Sequence, residues 1–201
     1  MASIYDIKPA FQNLLRPGVR CLAERGVTAN QITLAALGLS LLVGAALFYP
    51  GWQPGIYWAV PLTMLLRMAL NAIDGMLARE HGMQSALGGI LNELCDVVSD
   101  AALYLPFALL PDANLWLVVG IVIAAIISEM AGVVAVQIGA SRRYDGPMGK
   151  SDRAFVFGAL AVGVAAGWSG AWINWLFAAL LLLLAVTILN RCRRALAEVH
   201  A

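Results

Sequence analysis

Six apolar stretches dominate this chain, near residues 30–50, 55–79, 86–110, 114–139, 153–170 and 171–195. Crossing about 30 Å of hydrocarbon as a helix takes roughly 20 apolar residues, and each stretch approaches or exceeds that length. The fifth is the weakest, because Gly158, Gly163 and Gly167 interrupt it. Hydrophobic residues make up 61% of the 201 positions and charged residues 12%, more apolar surface than a soluble domain of this size can bury. The runs lack the two-residue alternation of a membrane barrel, so helices are the spanning form. The predicted fold is all-α: an integral-membrane bundle of six transmembrane helices.

Basic residues set the expected orientation. Lys8, Arg16, Arg20 and Arg25 precede the first stretch, Arg79 follows the second, Arg142, Arg143, Lys150 and Arg153 fall between the fourth and fifth, and Arg191, Arg193 and Arg194 end the sixth. Twelve of the 13 basic residues thus lie on one side, Arg67 being the exception, and the positive-inside rule puts both termini in the cytoplasm. A multi-pass protein of a bacterial inner membrane is expected.

Residues 1–27 are expected to form a separate juxtamembrane element, with 28–201 as the membrane domain. Ile7, Phe11, Leu14, Leu15 and Leu22 recur at helical spacing, with Lys8, Gln12, Arg16 and Glu24 between them. This reads as an amphipathic helix on the cytoplasmic leaflet, kinked or bounded at Pro9 and Pro17. No apolar core of signal-peptide length precedes it, so no cleaved signal is expected. Cys21, Cys95 and Cys192 lack paired or metal-type spacing and read as free thiols. A net charge of +1 gives no sign of a nucleic-acid partner. Trp116, Trp172 and Trp175 flank stretches as an interfacial belt would.

Charges in hydrocarbon are costly, on the order of 3 kcal/mol each. This chain nevertheless places Arg67, Asp74, Glu93, Asp96, Asp100 and Glu129 within or at the ends of its apolar stretches. Arg67, Asn71, Asp74 and Ala78 follow at helical steps and share one face. Gly88, Asn92, Asp96 and Asp100 follow at steps of four, each drifting about 40° around the next helix. The short connection HGMQS makes the two helices antiparallel neighbours, so Asn71, Asp74, Asn92 and Asp96 are expected to converge. Two carboxylates with two amide oxygens form an oxygen-only set suited to Mg²⁺ or a similar hard cation. A cation there can neutralise a diphosphate and assist displacement at phosphorus.

The stretch "NAIDGMLARE…GGILNELCDVVSD" resembles the signature of the CDP-alcohol phosphatidyltransferases, D-x-x-D-G-x-x-A-R, eight residues, then G-x-x-x-D-x-x-x-D. Aligned by spacing, Asn71 and Asp74 take the first two acid positions, and Asn92 and Asp96 the last two. Gly75, Ala78, Arg79 and Gly88 match outright. The resemblance implies transfer of a substituted phosphate from a CDP-linked lipid such as CDP-diacylglycerol to an alcohol, with release of CMP, in phospholipid biosynthesis. It implies Mg²⁺ or Mn²⁺ held by Asn71, Asp74, Asn92 and Asp96, with Asp96 as the general base. It implies a CDP pocket shaped by Asp74, Gly75, Ala78, Arg79 and Gly88, and a homodimer. "TANQIT" at 28–33 is similar to the family's P-N-x-x-T stretch, which adds Asn30 and Thr33 to that pocket.

Two of the four motif acids are amides here, so fewer negative ligands face the metal and one-metal or weaker binding is expected. Glu93 and Asp100 are candidates to compensate, Asp100 by supporting Asp96. The alternative is a catalytically impaired protein of the same fold that binds lipid or nucleotide without turnover. A small transporter or channel is a third possibility, since acids within spans also mark ion pathways.

The segment "GASRRYDGPMGKSDRAF" gathers Arg142, Arg143, Lys150 and Arg153 among turn-forming Gly and Pro. Arginine forks bind phosphate bidentately, so these four are candidates to hold a phosphorylated acceptor. Members of the resembled family with such acceptors carry basic residues here, which favours a phosphorylated alcohol over serine or choline. The bland alternative is positive-inside topology with contact to anionic lipid. Arg67 is expected to form a structural ion pair with Glu129 or Asp100. His81 and His200 have no partner at metal spacing.

Overall fold

The computed structural model describes residues 4–49 and 53–200, with backbone alone for residues 4–9. The described chain is helical: α1 (Ile4–Glu24), α2 (Ala29–Leu47), α3 (Ala59–Glu80), α4 (Ala86–Tyr104), α5 (Leu115–Gln137), α6 (Lys150–Ala165) and α7 (Trp172–Val199). A 3₁₀ turn, Pro54–Trp58, leads into α3, and another, Leu105–Leu109, follows α4. Pro106 lies at the start of that second turn. It lacks the N–H an α-helix would need there, and α4 ends two residues before it.

Among the described residues, four segments are long and apolar enough to cross a membrane: Ala29–Leu47, Pro54–Glu80, Leu115–Gln137 and Trp172–Val199. α4 and α6 occupy two further predicted stretches. α4 carries Glu93, Asp96 and Asp100, and α6 spans 16 residues and opens on Lys150, Asp152 and Arg153. α6 begins three residues earlier than its apolar stretch because Asp152 Oδ2 accepts from Gly149 N at 2.9 Å, capping the charged first turn.

The chain divides into two compact units, Met1–Leu42 with Leu62–Ser99, and Val43–Pro61 with Asp100–Ala201. The core of the first is Val19, Ala29, Ile32, Met76 and Leu77, with Leu15, Leu22, Leu70 and Ile73 packed against it. α1 runs through Pro17 without a break, and its Val19 is fully buried. Much of the apolar face of α1 is therefore covered by α2 and α3, while Leu14 stays 77% exposed. Arg16 Nη2 also meets Glu80 Oε1 at 3.1 Å, a half-exposed pair worth about 0–1 kcal/mol. The side chains of Ile7 and Lys8 lie outside the described ones.

The second unit is built on aromatic packing. Tyr104 stacks on Phe157 with centroids 4.0 Å apart, and Phe107 meets both Tyr57 and Phe157 edge-on at 5.1 Å. Tyr57 Oη donates to the Pro106 carbonyl at 3.2 Å, which satisfies its buried hydroxyl. α5 and α7 pack along each other. Gly44 permits a close approach: a Cβ there would collide with the Ala102 backbone.

Candidate active site

The first unit holds an open cleft of about 630 Å³. Its wall is built by two helix starts and one helix end. α2 begins with a capping box: Gln31 N donates to Thr28 Oγ1 at 3.3 Å, and Thr28 N donates to Gln31 Oε1 at 2.9 Å. That fixes Asn30 in the first turn and Thr33 one turn on. α4 begins with Ser85, whose Oγ accepts from Gly88 N at 2.9 Å. The last turns of α3 supply Asp74, Gly75, Ala78 and Arg79.

All seven residues expected to shape the CDP pocket line this cleft: Asn30, Thr33, Asp74, Gly75, Ala78, Arg79 and Gly88. Asn92 lines it too. Thr33 Oγ1 donates to Asp74 Oδ2 at 2.8 Å, and both side chains are buried. Gly88 lets α4 approach α2, since a Cβ there would stand 2.9 Å from Asn30 Oδ1 and 3.0 Å from Ser85 Oγ. Met83, Gln84 and Ser85, from the connection between α3 and α4, also line the cleft. In the sequence that connection is marked only by its shortness, as a spacer between two antiparallel helices. Its shortness was the signal that it must border whatever the two helix ends enclose.

The other two motif residues meet each other. Asn71 Nδ2 donates to Asp96 Oδ1 at 3.4 Å, and Arg67 Nη2 stands 3.8 Å from the same oxygen. Arg67 was expected to pair with Glu129 or Asp100; an ion pair with Asp96 was not foreseen. The reason is helical spacing: Arg67 lies one turn before Asn71, on the face that α4 meets with Asp96. Among the described residues, no three His, Cys, Asp or Glu side chains form a metal cluster. Asp74 and Asn92 offer hard oxygen donors on the cleft wall, which fits a Mg²⁺-like ion. Asp96, with a guanidinium and an amide N–H already against it, is a poorer place for a second cation.

The second unit carries the basic segment. Arg153, expected to hold a phosphorylated acceptor, is 1% exposed. Its Nη2 lies 3.2 Å from Asp100 Oδ2 and 3.1 Å from Glu129 Oε1, and Nη1 donates to Ser128 Oγ and to the Met148 carbonyl, each at 3.4 Å. Arg191 Nη1 reaches Glu129 Oε2 at 3.4 Å and donates to the Ser128 carbonyl. Arg153 thus serves as an internal counter-ion, and Asp100 supports it. In the first turn of α6 Ser151 and Asp152 are exposed while Arg153 is buried, and two carboxylates within hydrogen-bond reach claim its guanidinium.

Arg143 belongs to a loop network. Its Nε donates to Asp145 Oδ2 at 2.7 Å and its Nη1 to Glu198 Oε2 at 2.6 Å. Arg194 Nη1 donates to Asp145 Oδ1 at 2.7 Å. Partial burial pushes the Asp145 carboxyl upward, but the Arg143 hydrogen bond and the charges of Arg143 and Arg194 outweigh it and hold it below its ordinary value. The hydrogen bond to Asp145 raises Arg143 in turn. Arg142 lies over the Tyr144 ring, 5.0 Å from its centroid. Gly146 has φ 124°, and a Cβ there would press into Thr187, so this bend requires glycine.

These features define a membrane-helix protein with a nucleotide-sized cleft, lined in part by Asp74, Arg79 and Asn92, at the end of α3. The chain belongs to the CDP-alcohol phosphatidyltransferase family, whose sequence model matches residues 26–191. That places it among the membrane transferases of phospholipid biosynthesis. It is 50% identical over 196 residues to "inner membrane protein YnbA" of Escherichia coli K12, covering 96% of each chain. It is 35% identical over 104 residues to a phosphatidylinositol phosphate synthase of Corynebacterium glutamicum, an alignment covering 52% of this chain and 45% of that one. The fold is similar to that of the phosphatidylinositol phosphate synthase of Mycobacterium tuberculosis, solved with CDP-DAG bound: TM-score 0.67 and 20% identity, over 91% of this chain and 92% of the other. The same synthase has been solved with manganese and citrate, with TM-score 0.67 and 20% identity over 92% of this chain and 88% of that one.

Proposed function

We propose that this protein transfers the phosphatidyl group of a CDP-diacylglycerol-type lipid to the hydroxyl of a small phosphorylated alcohol and releases CMP. The carrying observation is that the seven residues expected around CDP line one cleft. Asn30, Thr33, Gly75, Ala78 and Gly88 shape the nucleotide pocket, and Arg79 offsets phosphate charge. Asp74 and Asn92 present oxygens to Mg²⁺ or Mn²⁺, which when bound neutralises the diphosphate. Asp96, oriented by Asn71, accepts the proton of the acceptor hydroxyl. Most of the rate comes from positioning and electrostatics.

Arg142, Arg143 and Lys150 are the loop residues we assign to the phosphate of the acceptor, with Arg153 holding the base of that loop. Names of several relatives support a phosphorylated product, being phosphatidylinositol phosphate synthases and an archaetidylinositol phosphate synthase. We read α2 to α7, within residues 28–201, as six spans of a bacterial inner membrane, with α1, within residues 1–27, at the cytoplasmic leaflet, both termini cytoplasmic and the protein a homodimer. The name of the Escherichia coli relative supports that location.

The test is to incubate the purified protein with Mg²⁺, CDP-diacylglycerol and a panel of phosphorylated alcohols, following CMP and identifying the lipid product by mass spectrometry. CMP release with one acceptor, abolished by Asp96→Asn while CDP binding persists, is expected. A second reading, a nucleotide-lipid binder without turnover, draws on the amides Asn71 and Asn92. Tight CDP binding with no CMP released from any acceptor would establish it instead.

A further inference from the structure

We infer that Arg67 is a built-in cation at Asp96, so that this site takes one divalent ion, on the Asp74 side, where a four-acid site would take two. This rests on the transferase reading above for the presence of any ion. Arg67 is 5% exposed and sits on α3 one turn before Asn71. Its Nη2 lies 3.8 Å from Asp96 Oδ1, and that same oxygen accepts from Asn71 Nδ2 at 3.4 Å. Two positive or proton-donating groups therefore already converge on one carboxylate oxygen.

The electrostatics explain the amides. An acid at position 71 would set a second carboxylate against Asp96, and like charges that close need a cation between them. An amide in its place donates a hydrogen bond and needs none. A metal ion next to Asp96 would also face the positive Arg67 guanidinium. Asn92 follows the same pattern: it offers a neutral oxygen on the cleft wall, so Asp74 is the motif carboxylate that remains for an ion there. Guanidinium and amide thus replace metal and acid in half of the motif. Arg67 acts through Asp96 and is a positioning residue.

The test counts Mn²⁺ bound per purified full-length chain in detergent, by electron paramagnetic resonance with CDP present. Wild type should bind one ion. Asn71→Asp/Asn92→Asp should still bind one, and adding Arg67→Gln to that pair should raise the count to two. Arg67→Lys, which keeps the charge, should leave the count at one. Two ions or none in wild type, or a second ion in the acid pair with Arg67 intact, would overturn the assignment even if the triple variant fails to fold. CMP release judges the transferase reading separately. One ion with no CMP from any acceptor sinks that reading and leaves the role of Arg67 standing, and two ions with CMP release do the reverse.

Discussion

Thr33 Oγ1 donates a 2.8 Å hydrogen bond to Oδ2 of Asp74, tying the second turn of α2 to the cleft end of α3. The bond fixes the rotation of a buried carboxylate on the cleft wall, the one we propose for the metal and diphosphate. A hydrogen bond to a charged group contributes about 1.5–3 kcal/mol. Thr33→Val keeps the shape and removes the donor. CDP affinity in the presence of Mg²⁺, measured by calorimetry, should fall at least about tenfold. Thr33→Ser should stay near wild type. Equal affinity in wild type and Thr33→Val would remove the hydroxyl from the site.

Gly75 separates stability from binding. A Cβ at this position would stand 2.8 Å from Arg79 Nη2 and 3.2 Å from Nη1. The obstacle is the tip of a flexible side chain, so the helix can accept alanine by letting Arg79 swing away. Alanine is also the better helix former, by up to about 1 kcal/mol. Gly75→Ala should therefore hold or raise the unfolding temperature while weakening CDP binding on the order of tenfold, the worth of one charge-assisted contact. A parallel loss of stability and binding would mean that the glycine serves packing instead.

The Arg153 cluster predicts a large effect on stability. Its guanidinium neutralises Asp100 and Glu129 in a buried setting. Arg153→Met leaves those carboxylates short of a counter-ion, and breaking a buried pair costs about 3–5 kcal/mol. Thermal unfolding in detergent should show a clear drop. Adding Glu129→Gln should recover part of it, because the orphaned charge, not the lost contact, carries most of the penalty. Additive losses in the pair would argue against this account.

Local signals were legible in the sequence, and partner choice was not. The apolar stretches and the motif residues are local patterns: helices occupy the stretches, and Asp74, Gly75, Ala78, Arg79 and Gly88 line one cleft. Val19 was missed because an amphipathic pattern gives the apolar face without saying whether lipid or protein covers it. Arg67 and Arg153 meet acids that were not foreseen for them, for a related reason. Each step of four along α4 drifts about 40°, so Asn92, Asp96 and Asp100 do not share one environment. Asn92 faces the cleft, Asp96 meets Asn71 and Arg67, and Asp100 meets Arg153. No periodicity in one helix tells which arginine of another will answer which acid.

The loop between α5 and α6 should respond to acid through Asp145. Its carboxyl accepts from Arg143 at 2.7 Å and from Arg194 at 2.7 Å, and its titration lies below the ordinary carboxylate value. The folded loop therefore prefers the ionised form more strongly than the unfolded chain does. That preference contributes in full above the unfolded value of about 3.9 and disappears as pH falls through the lower folded value. Pepsin cleavage within residues 138–149 should stay slow at about pH 5 and accelerate below about pH 4. Asp145→Asn removes the charge that holds both arginines, so cleavage should already be fast at the higher pH, without that acid step. Arg194→Gln, which removes one of the two cations, should move the wild-type step upward in pH. A step that stays where it is in Asp145→Asn would show that another carboxyl controls the loop.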